Sequence, residues 1–276
     1  MNIAKGVFLT IAFVPLLAFA GDDAEEKTKS IWRPILDEKM FKALVTRELK
    51  TVEKAITTKK DQELLNGEIA TVMIAGYALS AKGKMENANQ IRNAALRLKE
   101  LLGRSTKRDE ARALVKAIAS GKGTDSKPED KSLRYYIGDD YDLMVLYMQP
   151  SRGGEGLHPN LVYTRRLAAN EGYIENLFAK LATMRRALTG KQLEEMAEEL
   201  QLVAYKTVIS GRLIKEMAPT RKRGKRDPKI WHKTSDDMIN SALALAMAAK
   251  QKNSDAIKKA ADKLSRSCVE CHKAFQ

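Results

Sequence analysis

The chain has 276 residues, 44% of them hydrophobic and only 6% aromatic, with 49 Lys and Arg against 35 Asp and Glu. The formal charge of +14 favours acidic partner proteins or anionic surfaces and speeds encounter with them. Just two cysteines are present, so a disulfide-rich scaffold and a multi-cysteine metal cluster are both excluded.

Met1 to Ala20 has the form of a secretory signal: Lys5 is basic, Val7 to Ala18 is apolar, and Ala18-Phe19-Ala20 supplies an A-x-A cleavage site. The run is short for a membrane anchor, and the chain turns charged at Gly21-Asp22-Asp23-Ala24-Glu25-Glu26. Cleavage after Ala20 is expected, with export to a periplasm or its equivalent. Removing Lys5 with the signal leaves 48 basic and 35 acidic residues, or +13. No later stretch approaches transmembrane length, so no membrane span is expected after cleavage.

Composition and periodicity predict an all-α protein of two tandem antiparallel four-helix bundles. The expected organisation is a signal over residues 1–20, a first bundle over 21–120, a linker over 121–158 and a second bundle over 159–276. In the first bundle, Phe41, Leu44, Val45, Leu49, Val52 and Ile56 mark one helix. A second runs from Asp61 to Leu79 and is ended by Gly83, a third covers Asn87 to Leu102, and a fourth carries Ala111, Leu114, Val115 and Ile118 inward.

The linker opens with the polar run Gly121 to Pro128 and is expected to hold a short helix near residues 139–148. The second bundle is predicted to have helices over Asn160–Leu188, Lys191–Met217, Ile230–Lys252 and Ser254–Phe275. The halves read as a duplication: Lys54-Ala55-Ile56-Thr57 pairs with Arg186-Ala187-Leu188-Thr189, and Asp109-Glu110-Ala111 with Ser254-Asp255-Ala256. Only the second half contains cysteine.

Both cysteines fall in the last ten residues, in Cys268-Val269-Glu270-Cys271-His272. Cys-x-x-Cys-His is the attachment signature of a c-type haem. Two thiols three residues apart lie on one side of a helical turn, where each can form a thioether with a haem vinyl group. His272 is then the iron ligand. A disulfide, half of a zinc site and a redox pair compete. The zinc site lacks further soft ligands, and a redox pair opens a helix beside a strand instead of closing a helical pattern. One covalent haem c is the expected cofactor, and an exported haem protein has no use for nucleic acid.

Residues 159 to 276 resemble the cytochrome c′ family. The likeness rests on the terminal Cys268-Val269-Glu270-Cys271-His272-Lys273-Ala274-Phe275, on Asp227-Pro228-Lys229-Ile230-Trp231 and on the polar start and amphipathic length of Ser254 to Ser267. It implies a four-helix bundle in which Cys268 and Cys271 hold the haem, His272 is the proximal ligand and Trp231 opens the third helix. It also implies a distal face on the first helix of that bundle, with Asn170, Ile174 or Leu177 over the iron and Tyr173 beside them. None is a good iron ligand, so a five-coordinate haem open to NO or CO is expected. The family commonly has a basic residue beyond the motif's aromatic, where this chain ends at Gln276; the basic loop Arg221 to Arg226 is the candidate replacement.

The resulting functional expectation is a non-enzymatic electron carrier or gas binder. Alternatives are a haem peroxidase or oxidase, which needs a distal acid-base residue, and a haem-based sensor whose first bundle binds a partner. The resemblance leaves a homodimer and an internal pseudo-dimer open as assemblies.

Overall fold

The computed structural model describes residues 31–125, 132–139, 142–143, 174–222, 224 and 226–275. The regular elements among the described residues are all helices, with no strand. Their α-helices are α1 (Glu38–Thr57), α2 (Asp61–Ala81), α3 (Ala88–Leu101), α4 (Arg108–Ala119), α5 (Ile174–Ala182), α6 (Gly190–Glu216), α7 (Pro228–Lys250) and α8 (Ser254–Phe275). The described residues from Trp32 onward belong to one compact unit.

Local chemistry sets the helix ends. The Asp37 carboxylate accepts from the Met40 amide to start α1, and Thr189 with Gln192 forms a reciprocal capping box at the start of α6. Each side chain satisfies amides that have no partner inside the helix. Asp227 caps α7 by accepting from the Lys229 amide, with Pro228 as its first residue, where a missing amide proton costs nothing.

In the first group of helices α1 packs on α2, α2 on α3, α3 on α4, and α4 returns to α1. The approach of α1 to α2 is close at Gly67, where a β-carbon would stand 2.2 Å from Ala55 Cβ. In the second group α6 packs on α7, α7 on α8, and α8 on α5. The groups meet where α6 crosses α2 and α1, and one continuous set of buried side chains runs through both.

That crossing explains the one helix whose character the sequence reading missed. Asp61–Ala81 is long and apolar enough to cross a membrane, with a mean hydropathy of 1.3 over its best window. Some 78% of that window is buried within the protein. A helix apolar all round needs neighbours all round, and α2 has α1, α3 and α6.

Two further expectations are adjusted. The helix predicted to reach Leu188 ends at Ala182. Met184 and Leu188 are buried, but contacts with α8 replace helical hydrogen bonds. Lys258 Nζ donates to the Met184 carbonyl at 2.7 Å, and the Leu188 amide donates to Ser254 Oγ at 2.7 Å. In the linker, a short 3₁₀ turn covers Leu133–Tyr136 and packs on α2 and α6. Most of the helix expected near 139–148, and the start of the one expected from Asn160, lie outside the described residues, as does the signal.

Candidate functional site

Ile257, Ala260, Ala261, Leu264 and Cys268 form the buried stripe of α8, spaced at three and four residues as a core-facing helix requires. Cys271 and His272 follow Cys268 by three and four residues and are half-buried, so all three continue the stripe at the end of the helix. The two cysteines are not joined in a disulfide. A one-turn separation along a helix leaves both thiols available to a single planar group on that face. Among the described residues no cluster of three or more His, Cys, Asp or Glu side chains is arranged to hold a metal ion.

α5 runs antiparallel to α8, because its C-terminal end lies by Ser254 and Lys258 at the start of α8. At about 1.5 Å per residue, this register brings Ile174 roughly level with Cys268. Leu177 is fully buried, together with Phe178 and Leu181. Of the predicted distal-face residues, α5 therefore carries Ile174 and Leu177 toward the cysteine end of the bundle. Asn170 and Tyr173 lie outside the described residues. His232 is exposed and His158 lies outside the described residues.

Trp231 is 2% exposed. Its indole Nε1 donates to the Ile214 carbonyl at 2.6 Å, one of the last carbonyls of α6 that no helical amide fully satisfies. This bond fixes how α6 turns into α7. The Arg226 guanidinium lies 5.8 Å from the Trp231 ring centroid, within cation–π range. Lys233, two residues after Trp231, bonds Asp237 at 2.8 Å and lies 3.9 Å from Glu270. The Asp237 hydrogen bond holds the Lys233 ammonium above its ordinary range, with Glu270 adding to it. The start of α7 thus stands beside the Cys-x-x-Cys segment, with a long, exposed ion pair between them.

Residues 174–276 match the model of the cytochrome C′ family. No curated protein and no solved structure matches the chain. The match spans α5 to α8 and leaves α1 to α4 outside it, so the similarity to cytochrome C′ concerns the four C-terminal helices alone. The residues present fit a haem: two thiols outside any disulfide and one imidazole share a helix face, beside a buried apolar wall from α5 and α8.

Sequence reasoning did not find the polar groups that bind α6 to the first half. Arg212 is 4% exposed and is the one charged residue in the run Val208 to Ile214. A cation at that helical position was the available signal. Burial pushes its guanidinium down to about 10, with Arg33 nearby acting in the same direction.

Proposed function

We propose that the chain is an exported c-type cytochrome in which Cys268 and Cys271 hold one haem by thioether bonds and His272 supplies the proximal nitrogen. The observation that carries this reading is the Cys-x-x-Cys-His motif on the final turns of α8, within the segment that matches cytochrome C′. Bound there, the haem would supply one-electron redox chemistry and an iron site for a small neutral ligand such as NO or CO.

The chain's own residues define what such a site does. His272, on the same face as Cys268 and Cys271, would present its imidazole to the iron of a bound haem. Leu177, Phe178 and Leu181, all buried on α5, supply an apolar wall of the kind that suits a carrier or gas binder. The axial set and the polarity of the facing wall are the protein's controls over haem function. The charge of +14 favours acidic redox partners.

The test is expression with haem maturation machinery, followed by haem staining of the denatured chain and visible spectra of the ferric, ferrous and CO-treated ferrous protein. Haem that survives denaturation, and is lost when both Cys268 and Cys271 are replaced by alanine, is the expected result. A ferrous spectrum that changes with CO supports an open site. Sharp low-spin bands indifferent to CO would overturn the open site and leave an electron carrier with a sixth protein ligand.

A further inference from the structure

The last turn and a half of α6 is gripped from two sides. On one side Trp231 takes the Ile214 carbonyl, and α7 then meets the cysteine segment through Lys233 and Glu270 at 3.9 Å. On the other, every partner comes from the first half of the chain. Trp32 Nε1 donates to Glu216 Oε1 at 2.6 Å, and the Ser132 hydroxyl donates to Glu216 Oε2. The Arg134 amide donates to the same Oε2, and the Arg134 guanidinium to the Glu216 carbonyl, each at 3.4 Å.

One turn earlier, Arg212 Nη1 donates to the Arg33 carbonyl at 3.1 Å and to Ser80 Oγ at 2.8 Å. The Arg212 guanidinium also lies 5.8 Å from the Trp32 ring centroid. Trp32 therefore touches two residues of α6 that are four apart, on one helix face.

Neither charged group suits its place by itself. A carboxylate at a helix C-terminus opposes the helix dipole, and a buried guanidinium is costly unless hydrogen-bonded. Both become favourable only when residues 32–34, 80 and 132–134 are in position.

We infer that Trp32, Arg212 and Glu216 form a clamp through which the first half of the chain positions the cysteine-bearing end of the second, so that α1 to α4 act as a positioning element for the haem site. This rests on the haem reading above. The route is short: Trp32 to Glu216, then along the last turn of α6 to Ile214, Trp231 and the start of α7.

The test uses the full-length, haem-loaded protein and the variants Trp32→Phe, Ser132→Ala and Glu216→Gln. Trp32→Phe and Glu216→Gln should shift the reduction equilibrium in the same direction by about tenfold, which is 59 mV for a one-electron couple. The double variant should shift it by less than the sum. Trp32→Phe changes no charge, so its shift reports position and not a lost carboxylate. Lys39→Ala, whose partner Glu198 at 3.1 Å is about 27 Å back along α6 from Glu216, should leave the potential unchanged.

Amide hydrogen exchange over residues 228–233 and 266–275 supplies a readout independent of redox state, and it should quicken in Trp32→Phe. Unchanged potentials together with unchanged exchange in Trp32→Phe and Ser132→Ala would overturn the clamp. Should Trp32→Phe fail to fold, the exposed Ser132→Ala carries the test. A native chain lacking covalent haem would strike the haem reading instead, and the exchange data would still decide the clamp.

Discussion

Gly76 of α2 lies against Ile209 of α6: a β-carbon at Gly76 would stand 2.7 Å from Ile209 Cγ2, with the Trp32 ring 3.3 Å away. This is the closest approach of the two groups of helices given by their glycines, and it sits beside the 3.8 Å contact of Ser210 Oγ with Met73 Sδ. Replacing a mid-helix glycine by alanine ordinarily stabilises by up to about 1 kcal/mol. Here the methyl group meets a β-branched carbon that has little room to turn, so overpacking at about 1–3 kcal/mol wins. Gly76→Ala should lower stability in urea unfolding, and Gly76→Ala combined with Ile209→Ala should cost less than the two changes summed.

A buried polar knot joins the same helices. Tyr77 Oη donates to Glu48 Oε1 at 2.8 Å, and Lys206 Nζ lies 3.0 Å from that oxygen. Glu48 is 1% exposed, so removing the cation leaves a carboxylate in the core. Lys206→Met should destabilise by about 3 kcal/mol, at the low end for breaking a buried pair, because the lysine retains some access to water. Lys206→Met with Glu48→Gln should cost less than the two changes summed, and denaturant midpoints of the four proteins decide it.

Trp231→Phe keeps an aromatic ring, removes the indole bond to the Ile214 carbonyl and leaves the space of the five-membered ring. That carbonyl also accepts from the Met217 amide at 3.0 Å, so the lost bond should cost a modest amount, about 1 kcal/mol, to which the small cavity adds. A loss of several kcal/mol in urea unfolding would contradict this division of roles.

Acid sensitivity should appear between α3 and α4. The Arg97 hydrogen bond, followed by that of Lys107, holds the Glu110 carboxyl below its ordinary value of 4.5. A lowered folded value means the unfolded chain binds more protons in that window, so this contribution is present above 4.5 and lost as pH falls through the folded value. The difference in urea midpoint between Glu110→Gln and the native chain should therefore shrink on acidification. A difference that grew with falling pH would contradict the sign.

The helices themselves were legible because each carries its own signal. α8 spans Ser254–Phe275 as predicted, since Ile257, Ala261, Leu264 and Cys268 keep an unbroken period. α2 and α6 were placed to within two residues, by Lys60-Asp61 and Gly83 in the first case and by Thr189-Gly190 in the second. The C-terminal Cys-x-x-Cys-His motif was equally plain, because its residues are neighbours within one helix. Less visible was the end of α5. Met184 and Leu188 keep helical spacing, yet their peptide groups are met by Lys258 and Ser254 from another helix, a contact that local periodicity does not contain.

By itself, then, the sequence determined the all-helical class, most helix limits and the thiol-imidazole set at Cys268, Cys271 and His272, all of which are local in chain distance. Tertiary structure alone decided that α2 is enclosed by α1, α3 and α6, and that Arg212 and Glu216 are answered by Trp32, Arg33, Ser80 and Ser132. An apolar face states that it must be covered without naming what covers it. A buried charge states that it needs a partner, and that partner lies more than 80 positions away along the chain.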